Sequence, residues 1–366
     1  MEQDELPQGL VFDIGSGHTK CGFSGDDAPR VDLPTCLGQF KKMNVLQLGE
    51  YVGSDALSKR GILNISHPFQ RGSITNFDHL QKIFAHCFKN ELRVDPMDHP
   101  LLIADSPVNT VEGREKIMEI LFESFGVPAL YFSVQGVMAM QSSGIVSGTV
   151  LDSGKELTYA LPIYEGKPIR NALQTIPFGG GDLTRSLYSL LLESGYQSYT
   201  AAEREIAGDA KRKVCYVAQN YEKELTEPKT EEYELPDGTI MNVSTLRIKA
   251  TELMFQPQLM DLDFVGVHEL VNSSIRSSDI DMRKDLFKNI VVCGGNTMFP
   301  GFIERFNREF SNLIPSSVEC KVSEKPTRKY SSWIGGSIFS SMSTFREVWL
   351  DRHEYEDFGK NVSRFL

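Results

Sequence analysis

The sequence predicts an α/β protein assembled from two duplicated domains, and three observations predict it. Residues 11–20, VFDIGSGHTK, return in altered form at residues 150–159, VLDSGKELTY. Asp13, Gly15, Gly17 and Thr19 each stand 139 positions before Asp152, Gly154, Glu156 and Thr158. Each copy opens a stretch of alternating apolar and small residues that gives way to helical periodicity, the order of a mixed α/β unit. Finally, 366 residues are too many for one hydrophobic core and suit two domains of ordinary size. A repeat of this length is a domain duplication rather than a solenoid.

The elements follow in order. Residues 8–38 alternate apolar and small residues between Gly and Pro, the pattern of strands and tight turns. Residues 39–50, QFKKMNVLQLGE, lack a period and read as an exposed loop. Thr75 or Asn76 can cap a helix carrying Phe77, Leu80, Phe84 and Phe88. Thr110 can cap the next, with Ile117, Leu121 and Phe125 facing inward and Gly126 closing it. ALYFSV, 129–134, is a strand that leads into a helix ending near Ser143. Residues 148–178 return to strand patterns, and helices are expected at 182–194 and 201–218. The charged run 222–234 with the Asp237-Gly238 turn reads as a solvated hairpin. NIVVCGG, 289–295, is a strand ending in paired glycines. Pro300 then opens a helix with Phe302, Phe306, Phe310 and Leu313 on one stripe. WIGGSIFSSMSTFREVWL, 333–350, reads as a turn into a final helix.

Composition narrows the function classes. Forty per cent apolar and 24% charged residues describe a soluble globular chain. A net charge of −11 argues against a duplex nucleic-acid binder, which carries a basic stripe. No run approaches 18 uninterrupted apolar residues, so no membrane span is expected. The opening MEQDELPQGL carries neither the basic nor the apolar region of a secretory leader. The six cysteines show no C-x-x-C spacing and are expected to be buried free thiols.

The chemistry concentrates in the repeated turns. A glycine-rich turn lets backbone N–H groups approach an anion without obstruction by side chains. An Asp at the strand end can hold a hydrated Mg²⁺ through water, because Mg²⁺ keeps several of its waters. One such turn is weak evidence, since short Gly turns between strands are more often structural. Two registered copies, with a third Gly pair at Gly294–Gly295, point to a nucleotide.

Several long segments resemble actin: VFDIGSGHTKCGFSGDDAPR (11–30), YVGSDALSKRGIL (51–63), YEGKPI (164–169), DLTRSL (182–187), DIDMRKDLFKNIVVCGGNTMFPG (279–301) and RKYSSWIGGS (328–337). The likeness runs from about residue 10 to residue 357. It implies the actin-like ATPase fold, shared with sugar kinases and the large heat-shock chaperones, in which two duplicated α/β domains surround a central nucleotide cleft. It implies domains at 1–142 with 331–366, carrying an inserted subdomain near 35–67, and at 143–330, carrying one near 179–262. ATP or ADP with Mg (or Ca) is the implied cofactor. By the same likeness Asp13, Gly15, Ser16, Gly17 and Lys20 match the first phosphate loop, and Asp152, Ser153 and Gly154 the second. Asp13 and Asp152 would reach the metal through water, and Gln135 would position the attacking water. Gly180 and Asp182 match a cleft-floor segment and Lys211 a nucleoside contact. Gly294, Gly295, Met298 and Phe299 match the adenine-side loop, with Lys329 a further adenine contact.

The departures cluster on one side of that implied site, so the chain looks like an actin-related protein rather than a conventional actin. Where actin reads Asp-Ser-Gly-Asp-Gly-Val-Thr-His, this chain reads Asp152-Ser153-Gly154-Lys155-Glu156-Leu157-Thr158-Tyr159. Lys155 replaces an acidic group that helps hold the hydrated metal. Glu156 replaces a glycine, at a cost of roughly 1–2 kcal/mol if the turn needs positive φ. Tyr159 replaces a histidine that orients water, and a phenol is a poor base at neutral pH. Arg212 stands where an acidic nucleoside contact belongs, and Arg71 where a histidine is expected. Weak or absent hydrolysis with nucleotide binding retained is the expectation. A blander reading also stands: the side chains at 155 and 156 point outward and the backbone amides still work.

The surfaces depart as well. The loop between Gly38 and Tyr51 is shorter than the actin loop that enters a neighbouring subunit, which should weaken longitudinal contacts. The groove where actin partners dock would be lined by Gln141, Gly144, Lys167, Phe339, Met342 and Thr344, with Gln141 and Lys167 in place of tyrosines; plain surface drift is the bland reading. The C-terminal GKNVSRFL differs too. The favoured reading is a cytoskeletal or scaffold subunit in the cytoplasm, binding nucleotide structurally and assembling with actin-like partners or in a dedicated complex. A self-polymerising actin-like ATPase, or a nuclear subunit of a chromatin complex, stays open. A metabolite phosphotransferase would need a substrate-side Asp base and a sugar pocket, and the sequence offers neither.

Overall fold

Strand Leu10–Ile14 is buried at all five positions, as a strand covered on both faces must be. It pairs antiparallel with His18–Phe23 and parallel with Leu101–Asp105. The computed structural model describes residues 8–41, 49–196, 203–234, 238, 240–315 and 318–359, with the side chains of 203, 204 and 358 left aside. The chain divides into two units, Met1–Ile145 with Tyr330–Leu366, and Val146–Lys329. Among the described residues no helix is long and apolar enough to cross a membrane. All six cysteines are free thiols, five of them buried.

The first unit is built on a six-stranded sheet ordered Leu350–Asp351, Ala129–Val134, Leu101–Asp105, Leu10–Ile14, His18–Phe23, Val31–Pro34. Alternation along the first strand divides its contacts between two cores. Leu10, Phe12 and Ile14 join Leu80, Phe84, Phe88 and Phe122. Val11 joins Leu102, Met138 and Trp333. Trp333 is fully buried and donates its indole N–H to Val11 O at 3.0 Å. A smaller three-stranded sheet comprises Leu37–Phe40, Glu50–Val52 and Leu63–Ser66, so the stretch read as a loop is strand at both ends; residues 42–48 lie outside the described residues.

The second unit repeats the plan. Its sheet runs Lys167–Pro168, Thr158–Tyr164, Gly148–Ser153, Asn289–Cys293, Lys321–Ser323, with Gln174–Ile176 paired to Thr158–Tyr164. In both units an antiparallel hairpin comes first and its leading strand pairs parallel with a much later one. The registers coincide: Asp13 faces Lys20, and Asp152 faces Tyr159. Phe302, Phe306 and Phe310 stack along helix Phe302–Ser311 into a core with Leu183, Leu187 and Leu270.

The helix caps follow the sequence signals. The Asn76 side chain accepts from His79 N ahead of Phe77–His86, and Thr110 accepts from Gly113 N ahead of Val111–Glu119. Three readings are corrected. The charged run after Asn220 begins as a helix, Tyr221–Thr226, because the Asn220 side chain caps Lys223 N; only Glu232–Glu234 and Ile240–Asn242 form the hairpin, and Asp237 of its turn lies outside the described residues. The helix expected at 201–218 stops at Val214, and its residues 201–202 lie outside the described residues. The segment 333–350 is not one terminal helix. Ser331–Ser340 ends in a serine-rich stretch, a 3-10 turn and a short strand follow, and the last helix is Arg352–Phe358, capped by Asp351. Residues 360–366 lie outside the described residues.

Helices Gln135–Ser142 and Ser331–Ser340 touch backbone to backbone. A Cβ on Gly335 would stand 1.8 Å from Met138 O, an impossible contact. Gly335→Ala is therefore expected to cost about 3 kcal/mol. Gly61→Ala, where nothing lies within 4 Å of an added Cβ, should stay within about 0.5 kcal/mol of neutral. Urea denaturation of the two variants reads the difference.

Candidate functional site

Each unit opens on a strand–turn–strand hairpin, and the two turns close alike. Gly15 N donates to His18 O at 3.1 Å, and Gly154 N donates to Leu157 O at 2.9 Å. In the first unit the turn is held from outside by Thr35. Its hydroxyl donates to Gly15 O at 2.7 Å and its backbone N to Gly17 O at 3.0 Å. Ser16 and Gly17 form the half-exposed tip. Asp13 is 2% exposed, and both its carboxylate oxygens are engaged. Lys20 Nζ lies 2.7 Å from Oδ2, and Gln135 Nε2 donates to Oδ1 at 2.7 Å. Gln135 opens the helix Gln135–Ser142, so its amide is aimed from a rigid element at the aspartate.

In the second unit three further segments converge on the turn. Gly180 N donates to Gly154 O at 2.9 Å, and Gly181 N to Lys155 O at 2.7 Å. Asn296 Nδ2 donates to Gly154 O at 2.6 Å and to Ser153 Oγ at 3.0 Å. The Thr158 hydroxyl donates to Phe178 O at 2.8 Å and lies 2.8 Å from Ser153 Oγ. Two glycines are dictated by this packing. A Cβ on Gly180 would press to 2.6 Å from Asn296 Oδ1, and Gly294, at φ +93°, would place one 2.4 Å from Ser153 O. Asp182 accepts from Gly179 N at 2.9 Å and pairs with Arg185, giving helix Gly180–Glu193 an acidic first turn.

Two lysines lie beside this turn. Lys211 is 9% exposed and donates Nζ to Gly180 O at 2.6 Å. Burial first, then the neighbouring charges of Arg212 and Lys155, bring its pKa down to about 8. The Lys155 stem lies along the start of helix Gly180–Glu193, its Cγ 3.7 Å from where a Gly181 Cβ would stand. Arg212 also pairs with Asp209 on its own helix.

The remaining residues named from the sequence are distributed as follows. Gly295 and Met298 bound a 3-10 turn after strand Asn289–Cys293; Met298 is half-exposed, whereas Phe299 is buried in the second unit's core. Lys329 is half-buried beside Arg328, whose carbonyl receives Gly294 N. Arg71, at φ +51°, forms with Gly72 the two-residue turn of hairpin Phe69–Gln70/Ser73–Ile74. Of the residues assigned to a partner groove, Gln141, Gly144, Phe339, Met342 and Thr344 belong to the first unit and exposed Lys167 to the second. Phe339 packs on Tyr131 and Phe345, with ring centroids 5.3 and 5.6 Å away.

Sequence reasoning missed Thr35, Thr158 as a bridge, Gly179, Gly181 and Asn296. Asn296 was the findable one, since it follows directly on the glycine pair at a strand end.

The tyrosine at 159 occupies the register position that Lys20 holds in the first unit. Its hydroxyl lies 3.4 Å from Asp152 Oδ2, where Lys20 holds Asp13 by an ion pair. Among the described residues no group of three or more His, Cys, Asp or Glu is placed to hold a metal ion. In the first unit the Asp13 carboxylate is engaged by Lys20 and Gln135.

Duplicated α/β units, each opening on a strand, a glycine turn and a returning strand, define the actin-like ATPase fold. The family model described as Actin matches residues 4–364, and the chain belongs to the actin family.

The expected strain at Glu156 is absent. Neither Gly17 nor Glu156 is among the described residues with positive φ, so the backbone at 156 takes a side chain without strain. Glu156→Gly should therefore relieve nothing and should lower stability by about 0.4–1 kcal/mol through the freer unfolded chain. Thermal or urea melts of that single variant measure it.

Proposed function

We propose that this actin-family chain is a cytoskeletal or scaffold subunit that binds an adenine nucleotide as part of its structure and hydrolyses it slowly or not at all. One observation carries the reading: within the second turn the backbone closes as in the first, while the groups that would do chemistry have changed. Gly154 N still meets Leu157 O, and the turn's carbonyls are tied to Gly180, Gly181 and Asn296. Lys155 and Tyr159 stand in place of an acid and a histidine. A buried phenol bonded toward Asp152 lacks the basicity to take a proton from water near neutral pH. In the first unit the Gln135 amide is committed to Asp13.

Assembly with other proteins is the other half of the proposal. Ile338, Met342 and Val348 expose 40%, 43% and 46% of their surfaces beside the Tyr131–Phe339–Phe345 cluster, apolar area of the kind that partners cover. Actin-like proteins or a dedicated cytoplasmic complex are the proposed partners.

Nucleotide extraction from the purified chain should yield a bound adenine nucleotide. Phosphate release should run about 10²-fold or more below that of a conventional actin, the scale of a lost general base. Turnover at the rate of conventional actin would refute the reading. Affinity should also depend on pH. Lys211 loses its proton as pH rises through about 8, so its positive charge beside Gly180 disappears and nucleotide affinity should fall between pH 7 and 9. Fluorescent-nucleotide titration across that range checks the decline, and a flat profile would contradict it.

A further inference from the structure

We infer that the first unit carries a ligand pocket for a small acid with an aromatic or apolar body, whose carboxylate is taken by Arg346. The pocket stands apart from the nucleotide reading and from the turns that support it. It is a cavity of about 300 Å³, at the lower end of the range for small-molecule sites, and all of its lining residues belong to the first unit. With the partner groove assigned by resemblance it shares Met342 alone.

The lining sorts into committed and open groups. Ser340 donates its hydroxyl to Gly336 O at 2.7 Å, and the Ser24 hydroxyl lies 2.6 Å from Ser340 Oγ, so these two buried serines satisfy each other. Phe345 is buried and meets the half-buried Trp349 edge to face, with ring centroids 5.5 Å apart at 85°. Such a wall favours another ring or an apolar chain over water. The open groups are donors. Trp333 has its indole N–H bonded to Val11 O, whereas Ser343, Arg346 and Trp349 make no side-chain hydrogen bond or ion pair among the described residues. Arg346 is the one charged residue lining the cavity, and the adjacent Glu347 neither lines it nor pairs with the guanidinium. A guanidinium offers parallel N–H donors that match the two oxygens of a carboxylate. A phosphate would bring nearly two charges and call for a second cation, which the lining lacks. One free guanidinium beside an aromatic wall therefore selects a monoanion with an apolar body.

The test is intrinsic tryptophan fluorescence of the full chain, titrated with 3-phenylpropionate and separately with 3-phenylpropanol, its uncharged counterpart. The chain has two tryptophans; Trp349 lines the cavity and Trp333 is fully buried, so a saturable change reports on the pocket. The acid should bind about tenfold or more tighter than the alcohol, the scale of one charge-assisted contact. Arg346→Gln, a change at an exposed position, should bring the acid down to the affinity of the alcohol, and a circular dichroism melt confirms that the variant is folded. Trp349→Phe should abolish the fluorescence change. The inference is overturned by equal affinity for acid and alcohol, by no saturable change with the acid, by undiminished acid binding in folded Arg346→Gln, or by a fluorescence change that persists in Trp349→Phe.

Discussion

The carbonyl of Gly154 is the fixed point of the second unit. It accepts from Gly180 N and from the Asn296 amide, two donors delivered by segments distant in sequence. With Lys155 O tied to Gly181 N, the path of the turn is set by its surroundings rather than by its own side chains. Positions 155 and 156 are therefore permissive toward side-chain change. A lysine and a glutamate stand there while Gly154 N, Gly180 N and Gly181 N keep their bonds to carbonyls. Thr35 does the corresponding work in the first unit, where one residue braces the carbonyls of both Gly15 and Gly17. Duplication has thus kept the closure of the turn and left each copy its own brace.

This separation between backbone and side chain explains how a chemical site can be rewritten inside an unchanged fold. Gly180 and Gly294 are fixed by contact, each having a neighbour where a Cβ would go. The residues that vary in character, Lys155, Glu156 and Tyr159, sit where no such contact forbids them. Tyr159 shows the rule at its limit. It is buried and paired in register with Asp152, and it fills with a ring the place that a lysine stem fills at residue 20.

Much of this was legible in the sequence, and the gaps have physical causes. Strand Ala129–Val134 coincides with the apolar run that announces it, because a β-rich run bounded by Pro128 and Gln135 has few alternatives. The caps at Asn76 and Thr110 and the Phe302–Phe306–Phe310 stripe are local signals and hold for that reason. Helix Val267–Arg276 went unread although Glu269 reaches back to Gly266 N and Val267, Leu270, Val271 and Ile275 keep helical spacing; the signal was there. The C-terminal error has another origin. Ser331–Ser340 packs against Gln135–Ser142, a distant contact that no local pattern records. The site residues that escaped, Thr35 and Asn296, matter through hydrogen bonds to carbonyls 20 and 142 positions away. The supposed strain at Glu156 failed because a glycine in a pattern does not reveal whether its φ is positive.

Gly335 lies against Met138 with no room between the two backbones. Met138 belongs to an eight-residue helix that has Gln135 at its head, bonded to Asp13, and Gln141 near its tail. Six residues along a helix span about 9 Å. The pair of helices is consequently a short, stiff strut with no slack at its crossing, and the aspartate at one end shares its leverage with the surface at the other.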